Sequence, residues 1–330
     1  MTAVHLDPFE LHRPASVDEA VGLARDLAGR FDYLAGGTDL LPNYKMHINL
    51  RPHLIALEDL AELRGHSLER IGAMERLARL EDDPAFRAAY PAVADALHEI
   101  ATPLVRASGT VGGNLLVETR CFFFNQSYFW RASLGFCLKA DGDRCHVVPQ
   151  KERCYATFSG DLAPTLMVLD AEVEVAGPGG RRRIPLGDLY DAGGDGIQRL
   201  HLTPGELVVA VHLPPSARRL RGRYKKLRVR PSYDFPELGV AVAGRWDDRR
   251  VESLRLAVGG VEPYPRRFDE LTDPLVGSPL SEAKVQALAD EVLRKVRPVH
   301  NTFLLPDYRR RMVGVYVRRA IVEAKGAAAA

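Results

Sequence analysis

The sequence has no long run of apolar residues and no excess of charge of either sign. Its apolar stretches fall short of the roughly 18 residues that a membrane-spanning helix needs. The amino-terminal segment lacks the basic start and apolar stretch of a signal peptide, so we expect a cytoplasmic protein with no membrane association. Lys and Arg number 45 against 43 Asp and Glu, a net charge of +2 that predicts no nucleic-acid partner.

Cysteine is scarce, and the few cysteines are not scattered. The chain of 330 residues contains four, all within about a tenth of its length. They are Cys121, Cys137, Cys145 and Cys154. Because disulfides are disfavoured in a reducing cytoplasm, this clustering indicates a metal-binding or redox role.

The first part of the chain predicts an N-terminal subdomain over 1–57. Ser16 and Glu19 form a capping box that begins a helix, and short strands are predicted at 33–35 and 53–57. A second subdomain over 58–216 begins with a helical region at 84–100, with Asp83 as its N-cap. An irregular insertion at about 117–158 contains the cysteines.

The remainder predicts an α+β carboxyl-terminal domain over 219–325. Ahead of it we expect a helix near 161–169, a hairpin with strands at 172–176 and 181–184, and a strand at 207–213. The domain itself shows three strands followed by two helices, an order typical of α+β folds. The strands are predicted at 223–230, 240–246 and 254–261, and the helices at 281–296 and 307–324.

Two glycine loops have the composition of phosphate-binding turns. The first covers 36–39 and the second 109–114, each where a periodic segment ends. Backbone amides that are not covered by side chains can approach an anion closely, so two such loops can hold one pyrophosphate. Neither loop matches the Rossmann or P-loop pattern, and two unrelated turns are the alternative interpretation.

The cysteine spacing, Cys-x15-Cys-x7-Cys-x8-Cys, leaves the type of metal open. Four thiolates suit either a tetrahedral zinc ion or a [4Fe-4S] cluster, but the paired knuckles of zinc sites and the ferredoxin run are both absent. Aromatic residues crowd around the first two cysteines, which favours a redox centre shielded from water. Four buried thiols without a metal, or a mixed site that includes His146, are the alternatives.

The glycine loops resemble those of a known family, the FAD-binding subunits of the xanthine dehydrogenase and carbon monoxide dehydrogenase group of molybdenum hydroxylases. The resemblance covers essentially the whole chain and implies a two-part, PCMH-type FAD-binding domain followed by the smaller α+β domain. Asp161 lies in a segment similar to the family's S-D-L-x-P motif, and Lys225 in one whose lysine approaches the flavin. The cofactor-binding residues that the resemblance implies are Leu34, Ala35, Gly36, Gly37, Thr38, Asp39, Leu40, Thr102, Thr110, Val111, Gly112, Gly113, Asn114, Asp161 and Lys225.

The cysteine insertion departs from the general family pattern and resembles the β subunits of 4-hydroxybenzoyl-CoA reductases. That resemblance implies Cys121, Cys137, Cys145 and Cys154 as ligands of a [4Fe-4S] cluster. It also implies a molybdenum-binding large subunit and a [2Fe-2S] small subunit as partners, in a dimer of heterotrimers, and ferredoxin as the electron donor.

The resemblance implies that electrons enter at the [4Fe-4S] cluster and pass through FAD and the [2Fe-2S] clusters to molybdenum, where 4-hydroxybenzoyl-CoA becomes benzoyl-CoA. No catalytic acid or base is expected in this chain, since the cofactors supply the chemistry. Two alternatives remain. One is the flavin subunit of an oxidative hydroxylase that delivers electrons to NAD or a quinone, with the cysteines as a relic or a zinc site. The other is a non-catalytic module stiffened by zinc.

Overall fold

A computed structural model describes residues 6–150, 152–247 and 249–326, so the first five residues of the predicted 1–57 subdomain lie outside the described part. The helices are α1 (Val17–Asp26), α2 (Leu40–Lys45), α3 (Leu77–Asp82), α4 (Pro84–Ala89), α5 (Pro91–Glu99), α6 (Pro103–Ser108), α7 (Val111–Leu115), α8 (Tyr128–Ser133), α9 (Leu162–Met167), α10 (Asp269–Thr272), α11 (Glu282–Lys295) and α12 (Pro306–Gly326). Short 3₁₀ helices occur at Ala61–Leu63, Leu186–Leu189, Pro215–Arg219 and Asp273–Leu275. None of the helices in these ranges is both long and apolar enough to cross a membrane.

Within the described residues the strands form three sheets, and each sheet is built from strands that follow one another in the sequence. They are β1 (Glu10–His12), β2 (Phe31–Leu34), β3 (His53–Ala56), β4 (Arg70–Gly72), β5 (Glu172–Gly177), β6 (Gly180–Pro185), β7 (Leu207–His212), β8 (Arg221–Leu227), β9 (Leu238–Trp246), β10 (Val251–Gly259) and β11 (Arg266–Arg267). The first sheet is parallel with the order β1-β3-β2. The other two are antiparallel, with the orders β4-β7-β5-β6 and β11-β10-β9-β8.

Helix α1 begins where its capping box predicts. The Ser16 hydroxyl accepts a hydrogen bond from the Glu19 amide at 3.1 Å. The Glu19 carboxylate reaches back to the amide of Ala15, one residue earlier than a standard capping box would place it. The apolar stripe of α1 packs with β3 and β7 in a core of its own.

The helical region predicted over 84–100 is two helices, because a proline interrupts it. Asp83 caps α4 as predicted, accepting from the amides of Ala85 and Phe86 at 2.8 and 3.1 Å. Tyr90 then leaves the helical conformation, with φ −134° and ψ 70°. Pro91 has no amide proton and disfavours helical angles in the residue before it, so the chain stops and restarts there.

The third sheet is buried on both faces, and the two faces carry different side chains. Tyr224, Ala241, Ala243 and Ala257 belong to the core shared with the preceding domain. Alternate residues, including Val240, Val242 and Val258, belong to the core formed with α11 and α12. Small residues on the first face allow α5 and α9 to approach closely, so the carboxyl-terminal domain is packed directly on the loops described below.

Arg309, at the start of α12, is the most deeply buried charged residue of this domain. It is 0% exposed and donates to the carbonyl oxygens of Glu237 (2.9 Å), Val299 (3.1 Å) and Gly260, and to Asn301 Oδ1 (2.8 Å). Its guanidinium also lies 3.5 Å from the Glu237 carboxylate.

We expect Arg309→Met to lower the free energy of unfolding by about 3–5 kcal/mol, because it leaves buried acceptors and a buried carboxylate without their cation. Chemical denaturation followed by circular dichroism measures the loss. Arg311→Met, in the exposed next turn, is the matched control and should stay within about 0.5 kcal/mol of the unchanged protein. Equal stabilities of the two variants would contradict the assignment.

Candidate functional site

The two glycine loops are separate in sequence but touch in the fold. The first follows β2 and leads into α2, and the second leads into α7. A Cβ placed on Gly36 would lie 2.0 Å from the carbonyl oxygen of Ser108, which leaves room only for glycine. The structure therefore brings the predicted residues of both loops together at one place.

The first loop presents free backbone donors. Within the described residues, the amides of 36–40 donate no hydrogen bond to a protein acceptor, although the amides of Leu41 and Asn43 already bond back to Gly37 and Asp39. Adjacent free amides in a turn form a concave site for an anion such as a pyrophosphate. This arrangement fits the cofactor that the sequence predicts.

The second loop is held by its own side chains. Thr110 caps α7, with its hydroxyl accepting from the Gly113 amide at 3.1 Å. Asn114 Oδ1 accepts from the Leu162 amide at 3.0 Å, which ties this loop to the segment that begins α9. Thr102 caps α6 by accepting from the Val105 amide at 3.3 Å. The side chains of Thr102, Thr110 and Asn114 therefore fix the shape of the loops through these hydrogen bonds.

Asp161 is buried beside the second loop. Its carboxylate accepts from Tyr224 Oη at 2.6 Å and from Lys226 Nζ at 3.1 Å. Burial raises the pKa of Asp161, while Lys226 and Tyr224 act against the rise. Lys226 also donates to the Glu99 carbonyl at 2.9 Å. The contacts join β8 of the carboxyl-terminal domain to the predicted cofactor segment.

Lys225, which the sequence resemblance places near the flavin, forms an ion pair with α12. Its ammonium lies 2.6 Å from the Glu323 carboxylate on α12. Successive side chains of a strand project from opposite faces, so only one of two adjacent lysines can face Asp161. Lys226 is that residue, and the role of Lys225 near a flavin stays a prediction.

The four cysteines line one small internal cavity. All are free thiols, and Cys121, Cys145 and Cys154 are buried. Phe123, Phe124 and His146 complete much of the lining. The amides of Phe124 and Ala156 donate to the sulfurs of Cys121 and Cys154, each at 3.4 Å. The insertion therefore gathers four soft ligands in a site with little access to water.

The four sulfur atoms are not gathered tightly around a single point. Zinc with Zn–S bonds of about 2.3 Å holds its four sulfur ligands about 3.8 Å apart. Among the described residues, no three cysteine sulfurs lie within 4.8 Å of one another. In a four-iron cluster the cysteines bind different iron atoms, so their sulfurs stand farther apart. This spacing is compatible with a four-iron cluster.

A buried cation borders the cysteine cavity. Lys139 donates to Glu118 and to the Thr119 hydroxyl, both at 2.8 Å, and to the Gly196 carbonyl. Burial acts to raise the pKa of Glu118, but Arg199 and Lys139 together hold it down at about 2. The carboxylate therefore stays charged and keeps Lys139 at the cavity wall.

Two buried arginines connect the cysteine insertion to the first glycine loop. Arg120, next to Cys121, forms an ion pair with Asp39 and donates to Asn43 Oδ1 at 2.6 Å. Arg131 donates to the carbonyls of Met46 and His47 at 2.7 and 3.0 Å. Because these acceptors lie at the two ends of α2, the arginines hold that helix from both ends.

Sequence reasoning did not find Arg120, Arg131, Lys139 or Lys226. Adjacent side chains of β8 alternate between its two faces, so only one of Lys225 and Lys226 can face Asp161. The sequence alone does not say which one, because that depends on how β8 pairs with its neighbour. No local pattern marks the arginines, because their partners in and beside α2 lie more than 75 residues away in the chain.

Two family models together match almost the whole chain. The FAD binding domain in molybdopterin dehydrogenase matches residues 7–216, and the CO dehydrogenase flavoprotein C-terminal domain matches residues 222–324. The chain is 35% identical to the aldehyde oxidoreductase FAD-binding subunit PaoB of Escherichia coli (strain K12), covering 93% of this chain and 96% of the relative. It is 30% identical to the carbon monoxide dehydrogenase medium chain of Hydrogenophaga pseudoflava, covering 95% and 96%.

A solved structure of reconstituted CO dehydrogenase from Oligotropha carboxidovorans shares the fold. The TM-score is 0.78 at 24% identity, and the match covers 98% of this chain and 100% of that chain.

We expect Arg120→Met to weaken FAD binding about tenfold or more, because Asp39 and Asn43 lose their buried donor and the first loop loses its anchor. Fluorescence titration of flavin-free protein with FAD measures the affinity. Arg120→Lys should recover part of it by restoring the charge beside Asp39. Arg144→Met removes an exposed arginine of the same insertion and should bind FAD normally. An unchanged affinity in Arg120→Met would contradict the anchoring role.

Proposed function

The chain belongs to the FAD-binding subunits of molybdenum hydroxylases of the xanthine and carbon monoxide dehydrogenase type, and from that premise we propose that it carries both FAD and a [4Fe-4S] cluster as an electron-transfer subunit. When bound, these groups accept and release electrons, and substrate chemistry belongs to a molybdenum-binding partner. A [2Fe-2S] subunit is the other proposed partner. The observation that carries the proposal is the convergence of four cysteines on one cavity beside the flavin domain.

The residues proposed to hold FAD are those of the touching glycine loops. The free amides of the first loop would receive the pyrophosphate, and the second loop would close over it from the side of Ser108. Lys226 and Tyr224 hold Asp161 in place. The proposed role of this chain is therefore to bind and orient the flavin, with no proton transfer assigned to its side chains.

The four cysteines are the proposed cluster ligands. Their number and their convergence on one cavity suit a four-iron cluster, in which each cysteine binds a different iron atom. Two amide donors to sulfur and the neighbouring Lys139 supply positive charge to the site. Both features stabilise the negative charge of thiolate ligands, which is a reason for placing them at a cluster.

For the complex as a whole we propose reduction of 4-hydroxybenzoyl-CoA to benzoyl-CoA, with ferredoxin as the electron donor. The support is the position of the cysteine insertion, between the second glycine loop and Asp161, where the reductase β subunits carry theirs. An additional cluster at this position provides a separate entry for single electrons from a low-potential donor.

An oxidative hydroxylase is the second candidate. It is favoured by the 35% identity to an aldehyde oxidoreductase FAD-binding subunit and by the 30% identity to a carbon monoxide dehydrogenase chain. In that case electrons would leave the complex through this subunit, and the same two cofactor sites would serve the opposite direction.

We expect Cys137→Ser to lose iron and acid-labile sulfide, because one of four thiolate ligands is replaced by a poor ligand for iron. Anaerobic purification of the complex, followed by iron, sulfide, zinc and flavin analysis, measures this. His146→Gln is the matched control: it lines the same cavity and should retain about four irons. Loss of iron in both variants would indicate a mixed cysteine–histidine site, and zinc in place of iron would reject the cluster.

An assay of the assembled complex distinguishes the reductive reaction from the oxidative one. We expect reduced ferredoxin and 4-hydroxybenzoyl-CoA to give benzoyl-CoA, detected by chromatography, and we expect Cys137→Ser to lose ferredoxin-dependent turnover. Oxidation of an aldehyde or a purine with an artificial acceptor, without any conversion of 4-hydroxybenzoyl-CoA to benzoyl-CoA, would instead establish the oxidative candidate. The cofactor analysis is independent of this outcome.

A further inference from the structure

A second group of side chains that could bind a metal ion lies on the first sheet, away from both proposed cofactor sites. We propose that Glu10, His12 and His53 bind a divalent transition-metal ion, with zinc as the best-fitting example. The glycine loop follows the carboxyl end of β2, whereas Glu10 and His53 are the first residues of their strands, at the opposite edge of this parallel sheet. The proposal is therefore independent of the FAD and cluster assignments.

Strand register brings the three side chains together. Glu10 pairs with His53 across β1 and β3. His12 lies two residues after Glu10 and so projects from the same face of the sheet. The backbone hydrogen bonds of the sheet hold all three positions, which means that the site requires no rearrangement of the main chain.

The distances between the ligand atoms suit tetrahedral coordination. His12 Nε2 lies 3.2 Å from His53 Nδ1, and Glu10 oxygens lie 3.3 Å from His53 Nδ1 and 3.8 Å from His12 Nε2. A zinc ion with bonds of about 2.0–2.1 Å separates its ligand atoms by about 3.3–3.4 Å. Only a small movement of the Glu10 side chain is needed to complete the geometry.

Exposure and chemistry agree with this assignment. The side chains of His12 and His53 are 17% and 16% exposed, and that of Glu10 is 65% exposed. The two imidazoles are thus held in place by their surroundings, and the exposed carboxylate can move to bind the ion from the solvent side. Two imidazoles and one carboxylate are typical ligands of zinc, and three protein ligands leave a fourth position for water.

A bound ion would connect the edge strand β1 to the central strand β3. Because an ion that binds only the folded state stabilises it, we expect zinc to raise the melting temperature of the protein. The effect should depend on His53 and should be absent when a chelator is present.

The test uses the complex with FAD and iron already bound, so that the cysteine site is occupied. After passage over a chelating resin, calorimetric titration with zinc chloride should show one site in the unchanged protein. His53→Ala should weaken binding at least about tenfold, and Glu10→Gln should weaken it less. His98→Ala, an exposed histidine elsewhere in the chain, is the control and should bind zinc as before.

Cobalt provides a second readout, since tetrahedral Co²⁺ absorbs strongly in the visible range and octahedral Co²⁺ does not. Iron and flavin content measured before and after titration shows that the other sites are unchanged. If His53→Ala does not fold, His53→Gln replaces it. Equal zinc binding by the unchanged protein and the His53 variant, or no binding by either, would overturn the proposal while leaving the proposed function intact.

Discussion

The buried guanidinium of Arg120 is the contact on which the arrangement of the two proposed cofactor sites depends. A charged group without water must be paired. Arg120 pairs with Asp39 and Asn43 at the first glycine loop, more than 75 residues earlier in the chain, and with Asn125 in its own insertion, five residues later. Since Cys121 is the next residue, any displacement of the glycine loop changes the environment of the first proposed cluster ligand. Arg120 thus connects the two sites directly, and Arg131 adds a second contact at the far end of α2.

Further buried polar contacts extend this connection to the carboxyl-terminal domain. Lys226 and Tyr224 of β8 hold Asp161, while Asn301 joins Arg309 to the insertion by donating to the Tyr155 carbonyl at 2.8 Å. Apolar packing brings the domains together without specifying one orientation, whereas hydrogen-bonded pairs require it. The insertion is therefore held by both neighbouring domains, which suits a site whose distance to a second redox centre must stay constant.

Local features of the sequence predicted local features of the structure. The caps at Ser16 and Asp83, the hairpin of β5 and β6, and the helices α11 and α12 depend on residues that are neighbours in the chain. The break at Tyr90 was missed, although the following proline signals it. The partners of Arg120 and the choice between Lys225 and Lys226 depend on tertiary contacts and strand register, which short sequence patterns do not encode.

The cysteine cavity combines burial, which keeps its thiols protonated, with a nearby lysine, which favours negative charge. Burial raises the pKa of Cys121 to about 12 and that of Cys154 to about 11, so both thiols are protonated at neutral pH. A metal binds thiolates, and its binding must therefore release protons from an apolar site. Lys139 lies at the cavity wall and lowers the cost of placing negative charge there, as its effect on Cys154 indicates. The metal-free thiols of Cys121 and Cys154 are therefore poor nucleophiles. The positive charge of Lys139 at the cavity wall favours an anionic cluster at the same place.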